Sequence, residues 1–387
     1  MNVLVITGII PAPISKKLRE NNIIIKTEEE FKKRYTNVHF YYLMVIPYSN
    51  YFFSFFSKKW REYYLLISNK FFKYEDKSIH VIGIPGIKGD RFLKPIFNLI
   101  GFVLNRSKID ELLIKYQIDI VHAHNVHTDA AVAYELFKKC NIPYVITCRG
   151  LETNYINYYI KQCIYNSYTV IALNYRQKLI LEQLNIESEI IPHGIDDNFP
   201  TKELTSNRNN NYFKIVTVSR LLDWKNIDKV LKALCSLNGK IRYDIFGDGP
   251  EKERLVNLII DLGLEDKVFI YGFIPHHLLV KKLPEYDVFI LVSFPETFGR
   301  VYLEALAAGL PLIASKNSGI DGFIEDGNEG FLVNHLDPSE ISEALTKLMN
   351  NQHLRNSMRQ KTLEKVKFFS WDSVIRKLYN VYNKCNG

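Results

Sequence analysis

The chain has 387 residues, a hydrophobic content of 47% and a formal net charge of +8 at pH 7. This length predicts two domains rather than one, and the hydrophobic content excludes extensive disorder. A modest positive charge fits anionic partners in general, such as phosphorylated substrates, nucleic acid or membranes, and does not choose among them.

The cysteines and the N-terminus indicate the compartment. The five cysteines are scattered and none forms a CxxC pair, so the sequence predicts neither a zinc site nor a disulfide framework. Reduced cysteines favour the cytoplasm. The N-terminus enters a predicted strand without a basic leader, and no apolar run reaches the ~20 residues that span a bilayer. We therefore expect a cytoplasmic protein without a signal peptide, either soluble or associated with the cytoplasmic face of a membrane.

The first half of the chain alternates short apolar runs with helical segments. Strands are predicted at Val3–Thr7, His39–Ile46, Ile79–Ile84, Ile118–His122, Tyr144–Thr147, Thr169–Leu173 and Glu189–Ile191. Helices are predicted between several of them, as at Asp129–Lys139 and Tyr175–Leu184. Short β-branched strands that alternate with helices are typical of a doubly wound α/β domain with a parallel sheet.

A polar, asparagine-rich segment at Thr201–Asn211 is the predicted linker. The alternation then restarts, with strands predicted at Lys214–Ser219, Arg242–Phe246, Lys267–Tyr271, Asp287–Ser293 and Pro311–Ser315 and helices at Asn226–Leu237, Glu251–Leu262 and from Pro338 onward. We predict two Rossmann-like domains, residues 1–198 and 205–369, with a C-terminal helix at about 370–387 that packs back on the first. Open α/β sheets bind ligands beyond their strand ends, so two facing domains predict a cleft between them.

The stretch Phe294–Ser315, FPETFGRVYLEALAAGLPLIAS, is predicted to form a loop, a helix and a strand. Glu296 lies in the loop, and Glu304 lies inside the helix that begins at about Gly299–Arg300. The N–H groups and the dipole at a helix start suit a phosphate, and an ionised glutamate can accept from two sugar hydroxyls. The stretch therefore suggests a nucleotide-sugar site. The alternative is an ordinary helical glutamate beside a packing glycine.

Two further loops follow predicted strands in the second domain. Arg220 and Lys225 precede a helix, where an arginine fork and a lysine point charge can converge on a diphosphate. The alternative is a solvated basic loop. Gly247 and Gly249, in the sequence GDGPE, allow a tight turn and the close approach of a ligand, or form a plain strand–helix turn.

Histidines stand out in the first domain. His122 and His124 end a predicted strand on the same side, with His124 nearer the strand end. No carboxylate or cysteine clusters with them at ligand spacing, so we predict no metal site and expect His124 to donate or accept a hydrogen bond with substrate. His193, in the segment PHGID, lies either in a hinge that lines the cleft or in a simple turn.

These motifs, in this order, resemble those of the retaining glycosyltransferases of family 4, which have the GT-B fold. The resemblance covers most of the chain. The segment PETFGRVYLEALAAGLPLIAS is similar to the family signature of two glutamates separated by seven residues. SRLLDWK is similar to its Arg and Lys pair, GDGPE to its glycine turn, and PHGID to its inter-domain segment. The resemblance implies a GT-B fold of two facing Rossmann-like domains with an inter-domain cleft.

The resemblance also implies roles for the matching positions. The implied catalytic residues are Arg220, Lys225 and Glu296, to which we add His124 from its place at the strand end, since it matches a family histidine position only approximately. The implied donor-binding residues are Gly247, Gly249, Phe298, Gly299, Arg300 and Glu304. Arg220 and Lys225 would bind the donor diphosphate and offset leaving-group charge, Glu304 would hold the ribose, and Glu296 with the neighbouring backbone would hold the sugar. Neither a cofactor nor a divalent metal is expected, because cations and helix N–H groups supply the positive charge.

The acceptor side departs from the family pattern. The loop after the first strand contains one glycine, Gly8, and Cys148-Arg149-Gly150 stands where many members have a His-Gly pair. We place Gly8, Arg149 and His193 on the acceptor side and expect Arg149 to meet an acceptor phosphate.

We expect retaining transfer of a sugar from a UDP- or GDP-linked donor to a glycan or a polyprenyl-diphosphate-linked acceptor, in cell-surface polysaccharide biosynthesis. A nucleotide-sugar epimerase of the same fold is the alternative, but it would not be expected to carry the paired glutamates. A glycoside hydrolase that used Glu296 and Glu304 would leave Arg220 and Lys225 without a purpose. A non-catalytic sugar- or nucleotide-binding protein is the last alternative. Nucleic acid is not expected as a partner, because the basic sites end loops instead of forming a stripe with aromatics.

Residues 51–77 combine eleven aromatic residues with basic ones. Among the basic residues of this stretch are Lys58, Lys59, Arg61, Lys70 and Lys73. Rings at headgroup depth and cations beside anionic lipid favour a bilayer interface. The alternative is a helix whose aromatics pack on the first domain's sheet. Apolar residues fall on too many faces for one buried stripe, so we predict a peripheral membrane contact here.

Overall fold

The structure is a computed structural model that describes residues 1–8, 22–47, 55, 58–74, 76–85, 94–150, 157–196, 199 and 212–387. It divides the chain into two compact units. The first comprises Met1–Leu173, Gln177–Ile191 and Ile375–Gly387, and the second comprises Asn174–Arg176 and Pro192–Val374. The domain limits predicted from the sequence stay predictions. The linker predicted at 201–211 and the loop at 9–13 lie outside the described residues.

An eight-stranded sheet forms the centre of the first unit. Its strands are β1 (Asn2–Ile6), β2 (His39–Pro47), β3 (Phe71–Tyr74), β4 (Lys77–Ile84), β5 (Ile120–Ala123), β6 (Tyr144–Cys148), β7 (Thr169–Ala172) and β8 (Ser188–Ile190). The order across the sheet is β3-β4-β2-β1-β5-β6-β7-β8, and its pairs are parallel apart from β3 with β4. The order reverses between β1 and β5, which is where an open α/β sheet binds its ligand.

Helices cover both faces of this sheet. Their bounds are Ile23–Arg34, Lys58–Ser68, Lys94–Leu104, Arg106–Tyr116, Thr128–Cys140, Tyr158–Tyr165 and Tyr175–Gln183, with Trp371–Asn386 at the C-terminal end. β5 and β6 are buried along their whole length, as expected of parallel strands covered on both sides. On one face Phe31 stacks on Tyr382, with ring centroids 5.7 Å apart.

A six-stranded parallel sheet forms the centre of the second unit. Its strands are β9 (Phe213–Val218), β10 (Ile241–Phe246), β11 (Val268–Gly272), β12 (Val288–Leu291), β13 (Leu312–Ser315) and β14 (Gly330–Val333), in the order β11-β10-β9-β12-β13-β14. Its helices are Ile227–Leu234, Lys252–Asp261, His276–Lys282, Arg300–Ala307, Pro338–Asn350 and Gln352–Lys365, with 3-10 turns at Asp223–Lys225, Leu283–Glu285 and Val366–Phe369. This is the Rossmann strand order, with its switch point between β9 and β12. The prediction of doubly wound parallel sheets is confirmed.

The described part of residues 51–77 forms a helix and a strand instead of one helix. The described part contains the helix Lys58–Ser68 and then β3, which pairs antiparallel with β4 at the edge of the sheet. In β3 exposed and half-buried residues alternate, as in a strand with one face in solvent. Of the helices that the structure describes, none combines the length and apolar content that a membrane crossing requires. Membrane contact through this stretch stays a prediction.

The five cysteines carry free thiols that differ in exposure. Cys140 in the first unit and Cys235 in the second are exposed, whereas Cys148, Cys163 and Cys385 are buried. Burial raises the pKa of each of the three buried thiols to about 12. These three are therefore protonated at neutral pH, and a protonated thiol is a poor nucleophile.

His122 lies in the core of the first unit as a neutral ring. Its Nδ1 is 2.6 Å from the hydroxyl of Tyr382, and its Nε2 is 2.7 Å from the hydroxyl of Thr147. Burial, assisted by the positive charge of Arg149, lowers the pKa of His122 to about 3. Both ring nitrogens are thus used within the fold, and His122 contributes to structure.

Acidification is expected to destabilise the first unit through His122. Its folded pKa is about 3, whereas an unfolded histidine titrates near 6.5, so the unfolded state binds the extra proton between these values. Stability is complete above about pH 6.5 and falls as the pH drops, by roughly 2–3 kcal/mol at about pH 4.5. Thermal unfolding at about pH 7 and about pH 4.5 measures this loss. His122→Gln should reduce the difference, while His277→Gln, an exposed control, should not. Equal pH dependence in wild type and His122→Gln would contradict the assignment.

Candidate functional site

The loops that carry the predicted donor residues meet at one edge of the second unit's sheet. They follow β9, β10 and β12, and parallel neighbours end at the same edge. Two hydrogen bonds join the loop after β9 to the loop after β12. The Phe294 N–H donates to the Trp224 carbonyl at 2.9 Å, and the Asn226 amide donates to the Val292 carbonyl at 2.8 Å. The structure therefore brings the two loops together, although they are some 70 residues apart in sequence.

Lys225 and Glu296 form an ion pair at this edge. The Lys225 Nζ lies 2.5 Å from Glu296 Oε2, and the two side chains are only 13% and 15% exposed. Ser293 donates its hydroxyl to the same oxygen at 2.9 Å, and the Glu296 N–H donates to the Ser318 hydroxyl at 2.8 Å. An ammonium has three donors and a carboxylate about four acceptor positions. The pair can therefore stay intact while both members also bind a ligand.

Arg220 is exposed on a loop that is anchored by its neighbour Leu221. Leu221 is fully buried, its N–H donates to the Asp248 carbonyl at 3.1 Å, and its carbonyl accepts from the Glu251 N–H at 3.2 Å. The guanidinium thus extends into solvent from a backbone that is held at both sides. This is an arrangement suited to a solvated anionic ligand.

Gly247 and Gly249 allow a close contact with the backbone of the loop that carries Arg220. A methyl group on Gly247 would lie 1.7 Å from the Ser219 carbonyl oxygen, and one on Gly249 would lie 2.2 Å from that of Leu221. The sequence analysis assigned these glycines to the approach of a ligand, whereas the structure shows them against the loop that carries Arg220. Direct contact with a donor stays a prediction for both.

The helix Arg300–Ala307 begins at Gly299, whose φ of 72° lies in the left-handed region. A methyl group there would lie 2.7 Å from the ring of Tyr302. Tyr302 is buried and donates its hydroxyl to the Leu291 carbonyl at 2.6 Å, which fixes the helix start to the end of β12. The first N–H groups of any helix lack partners within it, so this start presents donors beside Glu296.

Phe298 is a core residue. Its ring is 1% exposed and packs edge-on against His193, Phe323 and Phe369 at centroid distances of 5.2, 5.6 and 6.1 Å. Any contact with a donor at this position therefore comes from the backbone. His193, predicted on the acceptor side, belongs to the second unit and contacts Phe298. Its role stays a prediction.

Glu304 is paired with a residue that sequence reasoning missed. His276 Nε2 lies 3.1 Å from Glu304 Oε1, and Glu304 is 12% exposed. Burial lowers the pKa of Arg300, while the negative charges of Glu304 and Asp196 oppose that change. His276 opens the helix that follows β11, so its position after a parallel strand was the available signal.

Ser293, Ser318 and Asn174 were also missed. Ser293 and Ser318 follow β12 and β13, and both hold Glu296. Asn174 donates from its side-chain amide to the Thr297 carbonyl, which holds the loop before the helix. Small polar residues after parallel strands are the signal that could have found the two serines.

In the first unit, the structure brings His124 and Arg149 together at the C-terminal edge of the sheet. Arg149 Nε donates to His124 Nδ1 at 3.2 Å, so we assign the ring proton of His124 to Nε2. The rings of His122 and His124 stack at 4.1 Å, which confirms that both lie on the same side of the strand. Gly8, after β1, is exposed at the same edge. Within the residues described, no group of three or more histidines, cysteines, aspartates or glutamates could hold a metal ion.

The sequence matches two family models in succession. Residues 38–199 match Glycosyltransferase Family 4, and residues 199–365 match Glycosyl transferases group 1. The chain belongs to glycosyltransferase family 4. The paired glutamates, the Arg and Lys loop and the glycine turn described above all lie within the second match.

Curated relatives of this family 4 glycosyltransferase match much of its length. An uncharacterized glycosyltransferase of Methanocaldococcus jannaschii is 23% identical over 331 residues, which cover 84% of this chain and 90% of that protein. The alpha-monoglucosyldiacylglycerol synthase of Acholeplasma laidlawii is 27% identical over 289 residues, which cover 66% and 72%. These relatives give the epimerase alternative no support.

Solved structures establish the fold of this family 4 glycosyltransferase. The sucrose-phosphate synthase of Thermosynechococcus elongatus superposes with a TM-score of 0.75 at 16% identity, over 99% of this chain and 98% of that one. HepE of Anabaena, in complex with UDP and glucose, superposes with a TM-score of 0.69 at 17% identity, over 99% and 100%. The fold is GT-B, as the resemblance implied.

Replacing Gly247 by alanine is expected to disrupt the loop that carries Arg220. The added methyl group would meet a carbonyl oxygen at 1.7 Å, so the backbone must move and the variant should lose at least about 2 kcal/mol of stability. Gly263→Ala is the matched control, because Gly263 also has a positive φ, of 64°, but open space at the Cβ position. The control should lose only about 1–2 kcal/mol. Urea unfolding measures both, and a Gly247→Ala variant as stable as the control would contradict the close approach.

Proposed function

We propose that this family 4 glycosyltransferase transfers a sugar from a nucleotide-diphosphate sugar, with retention of anomeric configuration and without a metal ion. The acceptor is a glycan or a lipid-linked glycan in cell-surface polysaccharide biosynthesis. The observation that supports the donor assignment best is the shielded Lys225–Glu296 ion pair, which lies on adjoining loops with Arg220 and a helix start.

The cations are proposed to act on the leaving group. When the bond from the sugar C1 to the diphosphate oxygen breaks, the electron pair stays with that oxygen and negative charge accumulates there. Arg220 can grip the diphosphate with its planar fork, and Lys225 can add a point charge. The N–H groups at the start of the helix Arg300–Ala307 add further donors. Preorganised positive groups of this kind favour the transition state over the ground state, so no metal ion is needed in this scheme.

The two glutamates are proposed to orient the donor. Glu296 is held by Lys225, Ser293 and its own N–H bond to Ser318, so its carboxylate can accept from sugar hydroxyls without first being ordered. Glu304, beside His276 and Arg300, is proposed to accept from the ribose hydroxyls. A carboxylate that binds two neighbouring hydroxyls selects a diol, which a ribose provides.

The first unit is proposed to bind the acceptor. Because Arg149 donates to Nδ1 of His124, the ring proton of His124 lies on Nε2, and the guanidinium of Arg149 adds a positive charge beside the ring. A neutral donor next to a cation suits a hydroxyl close to a phosphate. This supports an acceptor that carries a diphosphate, such as a polyprenyl-linked glycan.

The names of the compared proteins support the choice of substrates. HepE was solved with UDP and glucose, which favours a uridine nucleotide over guanosine for this chain as well. The Acholeplasma relative is named as a glycolipid synthase, which supports an acceptor at a membrane.

A panel of UDP- and GDP-sugars, incubated with the protein in excess EDTA, tests the proposal. We expect slow release of UDP from one donor without acceptor, faster release with a polyprenyl-diphosphate glycan, and a product of the donor's own anomeric configuration by NMR. No release from any donor would contradict the function. Activity that requires added manganese or magnesium would contradict metal independence, and an inverted product would contradict retention.

Variants of the donor site are expected to lose activity while keeping the fold. Lys225→Ala and Arg220→Ala each remove a contact that is strongest in the transition state, and Glu304→Gln removes a charged contact that positions the donor ribose, so each should lower kcat/KM by roughly a hundredfold or more. Lys229→Ala is the matched control, because Lys229 lies nearby in sequence but pairs with Asp228 at 2.9 Å. The control should stay within a few-fold of wild type, as measured by UDP release. A Lys225→Ala variant as active as Lys229→Ala would overturn the role of Lys225.

A further inference from the structure

The helix Lys94–Leu104 in the first unit has its apolar side in solvent. Five aliphatic residues on it are between 40% and 67% exposed. They are Ile96, Leu99, Ile100, Val103 and Leu104, which we call the aliphatic stripe. Their spacing of three and four residues places them on one side of the helix. The buried side contains Asn98, Gly101 and Phe102, and the buried Asn105 follows the helix end, so apolar residues lie on both sides of this helix.

Contacts with β4 explain why the helix faces this way. A methyl group on Gly101 would lie 2.7 Å from the Ile84 side chain and 2.9 Å from its Cα, so the glycine face permits a close approach that another residue would block. Asn105 donates to the Gly83 carbonyl at 2.8 Å, and Phe102 packs into the core. Because these contacts use the opposite side of the helix, the aliphatic stripe is left outside by the packing itself.

Basic side chains lie close to the helix that carries the aliphatic stripe. Lys139 is exposed and its Nζ lies 4.5 Å from the ring centre of Phe102, which is next to Val103 in sequence. Arg106 and Lys108 follow the stripe at the start of the next helix, and burial, followed by the positive charge of Lys70, lowers the pKa of Lys108. The helix Lys94–Leu104 has no acidic residue. In the next helix, the carboxylate oxygen Oδ2 of Asp110 lies 3.5 Å from Nε of Arg106.

We propose that the aliphatic stripe and its basic surroundings form the surface by which this protein binds an anionic membrane. Aliphatic side chains insert at the acyl boundary while lysines and arginines meet anionic headgroups. This surface deepens the proposed function. It rests on that function because the proposed acceptor is lipid-linked. It also assigns the membrane contact to the helix Lys94–Leu104, in a part of the chain that the sequence analysis did not single out.

The cations favour lipid over a second copy of the chain. A two-fold self-interface places the same patch on both subunits, so Lys139 and Lys108 would face a second set of the same charges across the axis. Like charges brought together in this way oppose association. An anionic headgroup layer instead neutralises them, by about 1 kcal/mol for each nearby basic residue, or roughly fivefold in affinity.

Vesicle sedimentation with matched variants tests the surface. Wild type should bind vesicles of phosphatidylglycerol and phosphatidylcholine at low salt, bind less at high salt, and bind phosphatidylcholine alone weakly. Ile96→Ser/Leu99→Ser/Val103→Ser should weaken binding by about a hundredfold or more. Val256→Ser/Ile260→Ser/Leu278→Ser is the control, because these aliphatic residues of the second unit are similarly exposed, and it should bind as wild type does.

Lys108→Gln/Lys139→Gln should weaken binding by roughly tenfold or more, unlike Lys240→Gln/Lys367→Gln.

Three results would overturn the proposal: wild type that stays in the supernatant at low salt, a stripe variant that binds as the control does, or a dimer in sedimentation velocity that the stripe variant abolishes. The last result would identify a second copy as the occupant.

UDP affinity, measured on the same proteins by calorimetry, separates this proposal from the proposed function. Stripe variants should keep wild-type UDP affinity, so failed vesicle binding with intact UDP binding would reject the surface alone. Absent UDP binding in wild type would reject the donor assignment alone.

Discussion

The ion pair between Lys225 and Glu296 is the interaction on which the candidate donor site depends. It joins the loops after β9 and β12, at the switch point where the strand order reverses. A lone charge shielded to this degree would be costly, and the pair offsets that cost while keeping both groups at the sheet edge. Ser293 and Ser318 complete the hydrogen bonds of Glu296, so the carboxylate is oriented before any ligand arrives.

The sequence predicted the strands of this protein well because of where they lie. Central parallel strands such as β5 and β6 are buried on both faces, so they form short, nearly continuous apolar runs that stand out from their surroundings. β3 and β14 were missed. β3 is a four-residue edge strand with alternating exposure, and its aromatic residues were interpreted as part of a membrane-contacting stretch. The helix Lys94–Leu104 was missed as well, because its apolar residues face both the core and solvent and so do not form the single apolar stripe of a packed helix.

The site was predictable where a charged residue follows a strand. Arg220, Lys225 and Glu296 could be named from that position alone, and the structure brings the last two into contact. The pairing of His276 with Glu304 could not be predicted, because the two residues are 28 positions apart and only the fold makes them neighbours. Gly247 and Gly249 show the same limit. The sequence indicated that these positions need a small residue, but only the structure shows that the neighbouring group is the backbone of the Arg220 loop.

The distribution of thiols has a practical consequence for measuring motion. Each unit exposes a single cysteine among its described residues, Cys140 in the first and Cys235 in the second, and the other three are buried and protonated. Maleimide dyes react with accessible thiolates, so the natural chain accepts a donor and an acceptor fluorophore without any substitution. Energy transfer between the two dyes would then report whether the distance between them changes as nucleotide is added.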